Sequence, residues 1–216
     1  MMRKEAIPNL SLSLLLFMAL LFGGCAVKRV PAAKEYQISS TTSGIEEFQN
    51  DTSRFDTLKL RFSHSSKTVT TSNIYYIDEQ YRKQPYSYSR WYDTVETMFE
   101  EKLIKALKRS KTAKSVLSGS TAARSDYILE LDILEFVQEF PTEGRSFGKV
   151  VVMASLVRSV DRKVISSKLF ESTSPAPQDS AEGGVVALNR ATDSVVTEIL
   201  EWLNSKKSET GESKAL

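Results

Sequence analysis

Apolar residues recur along this chain with two periods, near 3.6 and near 2, and the switches between them mark out its elements. From Asp93 to about Arg109, Val95, Met98, Phe99, Leu103, Ala106 and Leu107 return at steps of three and four. That spacing predicts a helix, with Asp93 or Thr94 as its cap. A second stripe, Leu188, Ala191, Val195, Ile199 and Trp202, predicts a helix from Asp179 or Ser180 to about Asn204. Asp179 with Glu182 three residues on reads as its capping pair.

The strands fall in two blocks. The first holds Tyr36 to Ile38, then Leu58, Leu60 and Phe62 alternating with Lys59 and Arg61, then the aromatic stretches Ile74–Ile77 and Tyr86–Tyr88. In the second, Tyr127, Leu129, Leu131 and Ile133 alternate with acids until the phase slips, so that Leu134 and Phe136 flank Glu135. Such a slip predicts a β-bulge near Ile133. Phe140–Gly144 turns the chain into Phe147–Arg158, and Val160–Lys163 turns it again into Val164–Phe170. The order strands, helix, three-strand meander, helix predicts an α+β domain, an antiparallel sheet with two main helices packed on it.

The first residues follow a different pattern. Arg3 and Lys4 precede an apolar run from Leu10 to Phe22 that is broken only by Ser11 and Ser13. A basic start and a short apolar stretch have the form of a secretory signal, too short for a comfortable membrane span of about 20 residues. The run ends in Leu21-Phe22-Gly23-Gly24-Cys25, which resembles a bacterial lipobox, and Cys25 is the only cysteine of the 216 residues. Two glycines let the extended chain enter a narrow peptidase site, and only a thiol can take the diacylglyceryl thioether. The alternative is a small buried apolar residue. Acyl chains contribute roughly 0.8 kcal/mol per buried CH₂, so two or more give stable anchoring without a span. Ala26 after the cysteine favours export to the outer membrane, with inner-membrane retention as the other outcome. The expected organisation is a removed signal peptide at 1–24, a lipidated tether at 25–34, one periplasmic domain at 35–205 and a polar tail at 206–216.

Charge and composition narrow the chemistry. The 29 basic and 27 acidic residues give +2, which offers no support for a nucleic-acid partner. His64 is the only histidine, in the polar stretch Ser63-His64-Ser65-Ser66. Serine catalysis through an imidazole and zinc sites of the Cys/His type therefore lack their parts, and no metal, cofactor or catalytic residue is expected. Glu46-Glu47, Asp78-Glu79 and Glu100-Glu101 are adjacent in sequence, which fits solvated surface charge. Gly183-Gly184 has neither the P-loop nor the dinucleotide-binding spacing and fits a close-packed helix start. Lys102, Lys105, Lys108, Arg109, Lys111 and Lys114 cluster near the end of the first helix. They either complement the helix dipole or form a patch for anionic lipid or an acidic partner. The aromatic segment Tyr75 to Trp91 is either core or an interface, being rich in the Tyr, Trp and Arg of binding hot spots.

Several of these features together resemble the ABC-type transport auxiliary lipoprotein family, to which the paraquat-inducible operon lipoproteins belong. They are Cys25, the early strand at Tyr36, the segment from Ile74-Tyr75-Tyr76 to Tyr88-Ser89-Arg90-Trp91 leading into a helix, Asp126–Leu131 with Phe136, and a last helix ending in Trp202-Leu203. The resemblance implies a non-enzymatic, membrane-anchored periplasmic subunit beside a mammalian-cell-entry (MCE) domain protein, an ABC permease and an ATPase, with a homo-oligomer possible. It implies that Tyr76, Tyr88, Arg90 and Trp91 shape a partner interface. The Ser/Thr-rich His64–Ser72 stands where many relatives have a proline-containing strand. A second reading is a structural lipoprotein of outer-membrane assembly, similar to the lipopolysaccharide-transport plug.

Overall fold

The computed structural model describes residues 31–39, 53–63 and 66–206. The leader, Cys25, Glu46-Glu47, His64 and the tail beyond Lys206 lie outside them. From Ala33 on, the contacts form one compact unit. In chain order its elements are β1 (Lys34–Tyr36), β2 (Phe55–Phe62), β3 (Asn73–Ile77), β4 (Lys83–Trp91), α1 (Val95–Arg109), β5 (Ala113–Leu117), β6 (Tyr127–Glu139), β7 (Phe147–Arg158), β8 (Lys163–Pro175) and α2 (Ala181–Asn204).

Strand β6 organises the sheet. One edge pairs antiparallel with β7 along its whole length, from Tyr127↔Arg158 to Glu139↔Phe147, and β7 pairs antiparallel with β8. The opposite edge is divided. Strand β2 runs parallel to its first half, Leu58↔Tyr127 to Phe62↔Leu131, while β3 runs parallel to its end, Tyr76↔Gln138 and Ile77↔Glu139. One arm then adds β5, parallel to β2, and the other adds β4, antiparallel to β3, with β1 parallel to β4 at the margin. The sheet forks.

This corrects the antiparallel sheet expected from the sequence: the sheet is mixed, and four of its seven strand pairings are parallel. Alternation tells which face a residue occupies and carries nothing about strand direction. Direction is legible only where a short turn joins neighbours, and parallel partners are joined by long crossovers.

Both helices pack on one face. Phe99 of α1 meets Phe62 edge-on at 6.4 Å, and Trp202 of α2 meets Phe170 at 5.7 Å. Beneath them Leu58, Leu60, Leu129, Leu131, Ile133, Val150 and Val152 are fully buried, each large apolar side chain contributing about 1.5–3 kcal/mol. The bulge expected near Ile133 is present as a register shift between Ile133 and Glu135. Beyond it Phe136 and Gln138 occupy the helix side, opposite Val150 and Gly148.

The helix ends follow from their residues. Thr94 caps α1, accepting from the Thr97 amide. At its other end Lys111, with φ 53°, lets the Thr112 and Lys111 amides reach the Leu107 and Lys108 carbonyls, closing the last turn in a left-handed cap. Ser180 caps α2, accepting from Gly183. Asp179 does not: its carboxylate accepts from Ser146, and Glu182 is taken by Lys34 and Tyr36, so the expected capping pair is dismantled by tertiary contacts.

Candidate partner-binding site

The aromatic segment is sorted by an irregularity in the β3–β4 hairpin. Asn73 pairs with Arg90 and Tyr75 with Pro85, so a single β3 residue faces four residues of β4. The insertion changes which face each aromatic occupies. Trp91 is buried, 1% exposed, with its ring 5.7 Å from Phe136. Tyr88 is 53% exposed and Arg90 points outward, holding Glu35 of β1 through Nε at 3.1 Å. Tyr76 is half-buried, its ring tilted against Tyr86 at 4.7 Å and edge-on to Phe140 at 5.8 Å. The four sequence candidates are therefore not one surface. Tyr88 and Arg90 form an outer flank, Trp91 anchors it from the core, and Tyr76 belongs to an aromatic cluster at the end of the sheet.

That cluster opens on a cleft of about 350 Å³ lined by Tyr76, Phe140, Asp78, Gln80 and Arg82. Asp78 shapes the turn below it, accepting from the Gln80 and Arg82 amides and from the Arg82 guanidinium at 2.7 Å. The Arg82 amide leads the effects that hold its carboxyl below the usual range. Tyr81, at φ 59° and almost fully exposed, forms the tip.

Behind the cluster runs a polar relay absent from the sequence reading. The Tyr86 hydroxyl donates to Gln138 Oε1 at 2.8 Å, Gln138 Nε2 donates to Ser146 Oγ at 2.8 Å, and Ser146 Oγ donates to Asp179 Oδ1 at 2.6 Å. Burial, with smaller help from Tyr76, pushes the Tyr86 phenol well above its ordinary value, keeping it a donor. The Ser146 hydroxyl holds the Asp179 carboxyl below its ordinary value, keeping it an acceptor. Each buried polar group thus has a partner, without which it would cost about 1–3 kcal/mol. The alternation after the Ile133 bulge already puts Gln138 on the same face as Phe136, which is the signal that could have found it.

The basic cluster on α1 is likewise divided. Lys102 is 1% exposed; its Nζ donates to the Ser39 carbonyl at 2.6 Å and lies 2.7 Å from Asp193 Oδ1. Lys114 pairs with Asp56 at 2.6 Å, from a strand, β5, that the sequence reading missed. Among the described residues no group of three or more His, Cys, Asp and Glu is placed to hold a metal, and no helix is long and apolar enough to cross a membrane.

What this geometry offers is contact surface. The chain matches the model of the ABC-type transport auxiliary lipoprotein component over residues 64–200, and it belongs to that family. The family's name associates its members with ABC transport as envelope lipoproteins. The fold is also that of protein XCC0632 from Xanthomonas campestris, of the DUF330 family, at 20% identity and a TM-score of 0.69, covering 79% of this chain and 94% of that one. A second solved structure, of an uncharacterized protein, has 10% identity and a TM-score of 0.61, covering 80% of this chain and 99% of the other. No curated protein matches the chain.

Proposed function

We propose that the mature chain is a non-enzymatic subunit of an MCE-type ABC transport system for lipids or other hydrophobic compounds, anchored by acyl chains on Cys25 to the periplasmic face of the outer membrane. Membership of the auxiliary lipoprotein family is the observation that carries this reading. Its details extend the family assignment through the lipobox Leu21–Cys25 and Ala26. The domain at 35–205 contributes position and contact, and Tyr88 and Arg90 touch the partner while Trp91 and Tyr76 support the flank from within.

The test has two arms. Cys25→Ala should move the protein from the membrane fraction to the soluble periplasm and abolish acyl labelling. Affinity purification of the acylated protein should enrich an MCE-domain protein with its permease and ATPase; repeated recovery of an outer-membrane barrel instead would favour the assembly-lipoprotein reading.

A further inference from the structure

The cleft beside the β3–β4 turn is an aromatic corner with a carboxylate at its edge. The Tyr76 and Phe140 rings that line it stand 5.8 Å apart at 83° to one another, so they meet as two walls and not as a stack. Both walls are held in place. Tyr86, which does not line the cleft, packs against Tyr76 at 4.7 Å, and the Phe140 amide donates to the Ile77 carbonyl at 2.9 Å, tying the start of the β6–β7 loop to the end of β3. Below them the Asp78 turn is closed by the Tyr81 amide on the Asp78 carbonyl at 2.9 Å. Among the described residues no cation is seated over either ring; the cation–π contacts among them are Lys168 on Phe170 and Lys206 on Trp202.

The charges lining the cleft do not cancel. Arg82 and Asp78 neutralise one another through Nε and Oδ2 at 2.7 Å. Glu79 lines the same cleft, is exposed, and makes no hydrogen bond or ion pair among the described residues. The site thus carries an uncompensated negative charge beside two aromatic rings, whose faces also attract cations. A primary ammonium brings three N–H donors and a tight hydration shell. The cleft has few open acceptors to replace that shell. Asp78 Oδ1 already takes the Gln80 and Arg82 amides, which leaves the Glu79 carboxylate and the Gln80 side chain. A quaternary ammonium has no donor to satisfy, spreads its charge over methyl groups, and is matched by ring faces with one anion nearby. At about 350 Å³ the cleft has the size of a small-ligand pocket.

From this geometry we infer that the cleft is a ligand site for a quaternary ammonium group, with Tyr76 and Phe140 against its methyl groups and Glu79 facing its charge. The inference needs neither a membrane anchor nor a protein partner. Choline is titrated calorimetrically into the purified full-length protein in maltoside detergent, with its uncharged isostere, in which carbon replaces nitrogen, as the control. Choline should bind about tenfold or more tightly than the isostere. Equal binding would make the cleft merely apolar, and no choline binding would leave no site; either overturns the inference. Phe140→Leu keeps an apolar wall without the ring, and should weaken choline by about tenfold while leaving the isostere little changed. Glu79→Gln, at an exposed position, should weaken choline by about threefold and flatten its salt dependence. Tyr76→Phe keeps the ring and should bind choline as the wild type does. Choline affinity unchanged by Phe140→Leu or by Glu79→Gln overturns the assignment, and the exposed Glu79 variant decides it even where Phe140→Leu fails to fold. Ethanolamine binding as tightly as choline overturns the quaternary preference. Glycerophosphocholine binding as tightly as choline makes a lipid headgroup the source of the group, and binding about tenfold more weakly makes it a free quaternary ammonium ion; both results support the site.

Discussion

Gly148 of β7 lies where the sheet comes nearest to α2. A Cβ built there would stand 2.6 Å from the Leu188 nitrogen and 2.7 Å from the Ala187 carbonyl carbon, where ordinary contact begins at 3.4 Å. Gly148→Ala therefore requires α2 to retreat by close to 1 Å, and because the obstruction is backbone, no rotamer change relieves it. Over-packing of this kind costs about 3 kcal/mol at the upper end, and replacing glycine returns about 1 kcal/mol by restricting the unfolded chain. The net loss is about 2 kcal/mol, which for a domain of this size lowers Tm by about 4–8 °C. Thermal unfolding followed by far-UV circular dichroism, with the urea midpoint as a second measure, reads the effect. Adding Ala187→Gly removes a Cβ that would lie 3.0 Å away and leaves the backbone contacts in place, so it should not restore stability. A Tm within about 1 °C of wild type, or full rescue by Ala187→Gly, would refute the close approach of helix and sheet.

Two further outcomes are expected. Gln138→Leu, which leaves the Tyr86 hydroxyl without its acceptor and Ser146 Oγ without its donor, should cost about 2 kcal/mol or more in urea denaturation; a neutral result would mean that water or a neighbour replaces the amide. The hydrogen bond from Arg158 holds Asp161 at a pKa of about 2, below its ordinary 3.8. A depressed carboxylate stabilises the fold above its unfolded pKa and loses that contribution as pH falls from about 4 through about 2. Stability curves of wild type and Asp161→Asn should therefore be separated at pH 6 and converge toward pH 2, and a constant separation would count against the pairing.

Elements with a strong local period were legible in the sequence. Both helices fall where their stripes put them, and the β6 bulge lies where the alternation slips. What the sequence did not carry is strand direction, because Leu58, Leu60 and Leu129 bury the same face whichever way their strands run. Strand β5 was hidden because Ala113–Leu117 is short and its lysine read as part of a basic run. The burial of Lys102 is set by the Ser39 carbonyl and Asp193, both distant in sequence. At the candidate site, the composition of the aromatic segment marked it out. Its division into a buried Trp91, an outward Tyr88 and an end-cluster Tyr76 depends on a β4 insertion that leaves no mark in residue type.

The edge strand β1 has a mechanical consequence. It is only three residues long, and its ties include the pairing to Ser89–Trp91, the Lys34–Glu182 and Arg90–Glu35 ion pairs, the Tyr36 hydroxyl on Glu182, and the Tyr92 amide on the Tyr36 carbonyl. If Cys25 is held in lipid while a partner pulls on the domain, all tension between them passes through this short ladder. Tension along the strand axis loads these bonds together in shear, whereas tension across it opens them one after another. The domain would thus resist a pull along the β1 axis far better than one across it, yielding at its margin before its core is disturbed.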